Sequence, residues 1–414
     1  MENYMNTEFD FVENGGVASP AGFQACGIHA GLKKSGKEDM ALIFSEQNCN
    51  FAGTFTSNLF PAAPVQYCRG ICASSKTVRA VTVNSGVANA CTGLEGAENC
   101  QKTAAITAEC LGITPSEVLV ASTGRIGVQL PMDKIENGIR SGAKLLSHES
   151  GHRAAHAIMT TDTCPKELAV SFMVNGKKVT VGGCCKGAGM ISPRMMIAPH
   201  ATMLCFITTD AGAGNDYLAE VLSKAVHTSF NRITVDNDMS TNDTVLLMAN
   251  GMSGVTLQAG SEGAALFEEA VSMVAAHLAR SIVFDGEGVT KFVSVEVTGG
   301  ANEADAEKCA RAIANSPLCK TAWFGNDPNW GRILAAAGYS GATFLPENVT
   351  LHFDDMPVIR GGLSAGTPES DLVEIMKRRE FAVRIDLGEG CGACTIWTGD
   401  FTYEYVKINA DYHT

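Results

Sequence analysis

No uninterrupted run of about 18 apolar residues occurs anywhere in the chain, so the sequence contains no segment that could cross a bilayer as a helix. Basic residues are in short supply. The 31 Lys and Arg stand against 44 Asp and Glu, giving a net charge of −13 and a pI near 5.2. That balance disfavours a polyanionic partner, because phosphate binding relies on clustered Lys and Arg, and no nucleic acid is expected. The segment from Met1 to Gly16 is acidic and polar, without a basic apolar leader or an Arg- and Ser-rich transit pattern, so a cytoplasmic location is expected.

Cysteine is plentiful, but the spacing that would give it a structural role is missing. The 15 cysteines are an odd number scattered from Cys26 to Cys394. Cys391 and Cys394 form one CxxC and Cys184 and Cys185 are adjacent, yet no second pair or suitably spaced histidine completes a zinc site. Free thiols in a reducing compartment are the simpler expectation. GxSxG, Walker A and EF-hand patterns are also absent.

Two near-matches are set aside. His148-Glu149-Ser150-Gly151-His152 matches HExxH, but Gly151 weakens a helix interior and no third histidine follows in the metzincin position. Gly388 to Ala393 approaches a dinucleotide loop, but it precedes a strand candidate at Thr395 to Phe401 where such a loop must open a helix, and a turn between strands is expected.

What is present describes a compact folded protein: 45% hydrophobic residues, 18% charged, and a mean hydropathy of +0.07. At 414 residues two domains, or one large layered body with a smaller partner, are expected. Periodicity predicts helices over Leu94 to Leu111, Met132 to Leu146, Tyr217 to Phe230, Gly263 to Ser281 and Ala304 to Ala314. Strand candidates are Arg79 to Val83, Leu168 to Val174, Lys178 to Val181, Thr202 to Thr208, Val245 to Met248, Phe292 to Val297, Val349 to Phe353 and Phe381 to Leu387, with Gly182 to Gly189 as a glycine-rich loop. The mixture suggests an α+β or layered α/β fold, with a boundary near Gly288 separating residues 1–288 from 289–414.

Three stretches carry chemical interest. Ser122-Thr123-Gly124 ends an apolar run, and its small residues would let backbone N–H groups face a cavity as an oxyanion hole requires, although a strand-ending turn gives the same pattern. Met159 to Thr163 closes an alanine-rich helix candidate with four polar residues, more than a helix cap needs. Lys186-Gly187-Ala188-Gly189-Met190 pairs close-approach glycines with one cation able to meet a carboxylate, although a lone lysine is more often solvated.

Together with further motifs in the same order, these stretches resemble the ArgJ family, glutamate N-acetyltransferases that often act as ornithine acetyltransferases. The further motifs include Val83-Asn84-Ser85-Gly86, Phe230 to Asp236, Ser240-Thr241-Asn242-Asp243-Thr244, Asp285-Gly286-Glu287-Gly288, Asp327 to Ala336 and Ile408-Asn409-Ala410-Asp411-Tyr412.

The resemblance implies a self-cleaving sandwich related to the Ntn hydrolases and to DmpA. It places scission between Ala201 and Thr202, giving chains 1–201 and 202–414, and makes Thr202 the nucleophile. It also implies Thr123 and Gly124 as the oxyanion pair, and Thr160, Lys186, Thr202, Glu287, Asn409 and Thr414 as substrate contacts. The implied substrates are N-acetylornithine and glutamate, in an assembly of two α and two β chains. No metal or other cofactor is implied, and acetyl-CoA use separates bifunctional from monofunctional members. Two departures stand out: the segment Met195 to His200 lengthens the approach to Thr202, and Val87 replaces a usual Asn. The alternatives are a self-cleaving aminopeptidase of related fold, with water as acceptor, and an uncleaved relative that only binds amino acids.

Overall fold

A computed structural model of the protein describes residues 8–193, 195 and 203–411. Its first sheet runs in the spatial order Asp10–Phe11, Lys166–Val174, Lys177–Lys186, Leu204–Thr209, Thr244–Ala249, Met40–Phe55, Val78–Val87, Val118–Arg125. The long strand Met40–Phe55 explains how one sheet becomes two layers. Its first part pairs with Phe23–Ile28 and Val78–Val87, its last part pairs with Thr244–Ala249, and the register slips between Phe44 and Cys49.

Side-chain alternation assigns the faces. Cys205 and Ile207 pack with the helices Asn215–Thr228 and Ala264–Phe284. Leu204 and Phe206, one step out of phase, join Ala41, Ile43, Val81, Val83, Leu119 and Ala121 of the other layer. That other layer turns Met40 and Leu42 toward the helix Met132–Gly142, and Ala80, Val118 and Val120 toward the helix Gly93–Leu111. The result is a helix–sheet–sheet–helix sandwich, the layered α/β fold the residues predict. Each large side chain fully buried between the layers, Phe23 and Phe206 among them, contributes about 1.5–3 kcal/mol.

A second sheet is centred on Phe292–Gly300, which pairs in parallel with Glu380–Asp386 and antiparallel with Gly392–Gly399. The helices Glu303–Ala314, Pro317–Phe324 and Trp330–Gly338 cover it around Trp323 and Phe353. Side chains of Asn302, Ser316 and Asn329 cap these helices by accepting the N–H groups of Asp305, Cys319 and Arg332. Ile233–Thr234 joins this sheet as a parallel neighbour of Gly392–Gly399. The chain then returns through the helix Tyr403–Asp411 to the first body.

Several expectations need correction. The stretch from Gly182 to Lys186 is strand rather than loop, because Gly182 must let the chain at Gly16 pass: a Cβ there would fall on the Gly16 carbonyl oxygen. Phe23–Ile28 and most of Met40–Phe55 escape period-two detection because both faces are buried. His148 and His152 do not share a helix, since the helix starts at Gly151; His148 meets the Phe23 carbonyl and His152 meets Glu167. Gly388 lies in a turn between two strands, as predicted. Gly182→Ala is expected to lower stability by about 1–3 kcal/mol through overpacking, measurable as a lower urea midpoint.

Candidate active site

One small cavity of about 130 Å³ gathers residues from widely separated segments. Its wall includes Thr123, Gly124, Thr160, Lys186, Glu287 and Asn409. A larger depression of about 660 Å³ beside Leu59, Phe60 and Leu94 has no charged side chain in its lining and offers none of this chemistry.

Thr123 and Gly124 lie in the strand Val118–Arg125, where pairing with Val78–Val87 becomes irregular at Gly86 and Val87. Gly124 has φ +124°, and a Cβ there would strike the Gly86 backbone, so only glycine fits. The strand end is braced from behind. Asn242 Nδ2 donates to the carbonyls of Ser122 (2.8 Å) and Ala88 (2.6 Å), and Ser122 Oγ donates to Asn84 Oδ1 at 2.6 Å.

Lys186 closes the strand Lys177–Lys186 and is buried. Its Nζ donates to Thr160 Oγ1 at 2.7 Å and, more weakly, to Thr123 Oγ1 at 3.4 Å. A hydroxyl accepting from an ammonium keeps its own proton free to donate, which is what an oxyanion needs. Burial lowers the pKa of Lys186 against the opposing pull of Asp162, and the nearby Lys166 lowers it further.

Part of the cavity wall is acidic. Glu287 is buried; its N–H donates to the Ala188 carbonyl at 2.9 Å and its Oε2 accepts from Asn409 Nδ2 at 2.8 Å. Gly189 leaves room for this carboxylate, since a Cβ there would overlap it. Asp236, Asp238 and Tyr405 complete the wall. Burial pushes the Asp236 carboxyl up against hydrogen bonds from the N–H groups of Asp238, Ile191 and Met190.

All the predicted site residues that are described therefore converge on one cavity. Ala201, Thr202 and Thr414 lie outside the described residues, as do residues 196–200 of the lengthened segment before Thr202. The chain is described again from Met203, whose carbonyl accepts from Thr244 N–H at 2.8 Å, and Leu204 pairs with Lys186. Asp236, Asp238, Ser240, Asn242 and Tyr405 were not singled out from the sequence. All but Asp238 and Tyr405 fall in motifs quoted for the resemblance, and the signal that could have found them is the density of polar residues from Asp236 to Thr244. None of the Asp327 to Ala336 motif lines the cavity: Asn329 caps a helix and Arg332 Nη1 donates to the Leu318 carbonyl at 2.8 Å.

Hydroxyls, a glycine-only strand end, one cation and a carboxylate line the same small cavity, a set of groups suited to acyl transfer on amino acids. The ArgJ family model matches residues 24–414. The chain is 47% identical to the arginine biosynthesis bifunctional protein ArgJ of Symbiobacterium thermophilum over 403 residues, 97% of this chain and 99% of that one. It is likewise 47% identical to the glutamate N-acetyltransferase of Methanocaldococcus jannaschii over 412 residues, covering 97% and 100% of the two chains. A crystal structure of ornithine acetyltransferase complexed with ornithine from Mycobacterium tuberculosis is 40% identical, with a TM-score of 0.42, and covers 45% of this chain and 100% of that chain. The chain belongs to the ArgJ family.

Gly189→Ala is expected to displace the Glu287 carboxylate and weaken binding of amino acids with a side-chain ammonium by roughly tenfold, the worth of one charge-assisted hydrogen bond. Titration calorimetry against ligands with and without that ammonium reads the difference.

Proposed function

We propose that this protein transfers the acetyl group of N-acetylornithine to glutamate by a ping-pong route, with Thr202 as nucleophile after scission of the Ala201–Thr202 bond. The supporting observation is the cavity itself, where Lys186 and the Glu287–Asn409 pair offer opposite charges to a substrate whose two ends differ in sign. The strand that starts just after Thr202 runs beside Lys186.

In this reading the hydroxyl of Thr202 attacks the Ala201 carbonyl, and the C–N bond between the two residues breaks in an N-to-O acyl shift that frees the α-amino group. Water then hydrolyses the ester, restoring the hydroxyl and releasing Ala201 as a carboxylate. With an unperturbed pKa of about 7.7–8.0, that amine is partly neutral near pH 7 and takes the hydroxyl proton. The oxygen attacks the acetyl carbonyl, and the oxyanion rests against the Thr123 hydroxyl and the Gly124 N–H. Ornithine leaves with the proton, and the amine of glutamate then accepts the acetyl group from the threonine ester. Lys186 holds the α-carboxylate, while Glu287, Asn409 and Thr414 serve the distal end and Thr160 orients Lys186. No metal or dinucleotide takes part.

The reading extends to acetyl-CoA as a second donor, to a cytoplasmic location, to two α and two β chains per assembly, and to a body of residues 1–288 with a unit of 289–414. Among the described residues no helix is long and apolar enough to cross a membrane. A hydrolase of related fold would release free acetate from N-acetylornithine with or without glutamate, whereas the transferase passes the acetyl group to glutamate.

Wild type on a denaturing gel is expected to give pieces of 201 and, from 414 − 201, 213 residues, with Thr202 at the new N-terminus. Thr202→Ala is expected to stay whole and inactive; an intact wild type with full transfer activity would defeat the proposal. Lys186 binds a carboxylate only as an ammonium, and its pKa is lowered. KM for N-acetylornithine is therefore constant below that pKa and rises as pH climbs through it, earlier than an ordinary lysine would dictate. Lys186→Met is expected to raise KM about ten- to a hundredfold and to flatten that rise.

A further inference from the structure

Behind the cavity, outside its lining, lies a fully buried group of charges that the transfer chemistry does not use. Lys166 sits in the strand Lys166–Val174, opposite Cys185 in the neighbouring strand. Its Nζ donates to Asp162 Oδ1 at 2.7 Å, to Asp285 Oδ2 at 2.5 Å and to the Cys164 carbonyl at 3.3 Å. The side chains of Lys166, Asp162 and Asp285 are 1%, 0% and 6% exposed, so water cannot replace any of these bonds.

Each carboxylate holds a backbone segment that carries a cavity residue. Asp162 Oδ2 accepts the N–H of Thr160 at 2.9 Å, and its Oδ1 accepts the N–H of Gly187, next to Lys186, at 2.6 Å. Asp285 accepts the N–H of Thr163 at 3.0 Å and also its hydroxyl. Two residues later comes Glu287, whose N–H is bonded to Ala188. Lys166 is therefore the common donor of a network joining the Thr160 loop, the Lys186 strand end and the Glu287 loop.

Electrostatics agree with that placement. Burial alone would lower the pKa of Lys166, but Asp162 and Asp285 outweigh it and raise the pKa. Burial would raise the Asp162 carboxyl, yet Lys166 and Lys186 hold it well below the usual range. Two ammonium groups thus face two carboxylates away from solvent. A buried ion pair is a poor device for stability alone, since apolar residues of similar size often do as well. Its distinctive product is a fixed geometry.

Resting on the acetyl-transfer reading of this cavity, we infer that Lys166 is a positioning residue for substrate binding: its ammonium clamps the segments that present Lys186, with its partner Thr160, and Glu287 at the separation the two charged ends of the substrate require. Contacts made equally to the ground and transition states affect KM rather than kcat, so loss of the clamp is a binding defect.

The test compares wild type with Lys166→Met and with the charge-balanced pair Lys166→Met/Asp285→Asn. Acetyl transfer and amide hydrogen exchange are both measured, the second requiring no activity. Both variants are expected to raise KM for N-acetylornithine at least tenfold with kcat within about threefold, and to lose exchange protection together at residues 160–164 and 285–287. Wild-type KM and wild-type protection in the charge-balanced pair would overturn the inference, as would loss of kcat at unchanged KM. Should Lys166→Met fail to accumulate, the balanced pair decides alone. If wild type transfers no acetyl group, the functional reading fails while the exchange result still decides whether Lys166 couples the loops.

Discussion

The site depends on how charge is kept out of water at the base of one cavity. Lys186 can line the cavity as a buried cation because Asp162 favours its charge, and Asp162 can stay ionised because Lys166 and Lys186 both oppose its protonation. Removing a buried ion from such a group leaves its partner uncompensated, which costs far more than the pair is worth when intact. The arrangement therefore behaves as one unit, and the backbone segments attached to it inherit a fixed spacing. The glycines serve the same end: Gly124 and Gly189 admit backbone and carboxylate where any side chain would intrude.

Much of this was legible in the sequence, for identifiable reasons. Amphipathic helices such as Gly93–Leu111 and Asn215–Thr228 bury one face only, and period 3.6 survives in them. Thr123, Gly124, Thr160, Lys186, Glu287 and Asn409 came through family motifs, and the fold brings all six to one place. Chemistry alone would not have grouped them, because they arise from five segments spread between residues 123 and 409.

What escaped detection has a common cause. Met40–Phe55 is buried on both sides over much of its length, so no alternation marks it, and Gly182 to Lys186 looks like a loop because glycine there answers to a neighbouring backbone rather than to a turn. Lys166 lies outside every quoted motif, and Asp285, inside one, has no role of its own until burial and three-dimensional proximity make them partners. Conversely, the HExxH match dissolves because its histidines face different neighbours, and the most distinctive motif, Asp327 to Ala336, belongs to a capped helix in the second sheet's covering layer.

The strand order of the first sheet has one more consequence. Leu204–Thr209 and Thr244–Ala249 lie side by side in its middle, flanked on one side by Lys177–Lys186 and on the other by Met40–Phe55. A chain cut in front of them becomes two polypeptides woven into a single sheet, each supplying strands the other needs. Separating such halves would mean tearing the first sheet through its centre, because the strands on either side of the pair come from the other piece.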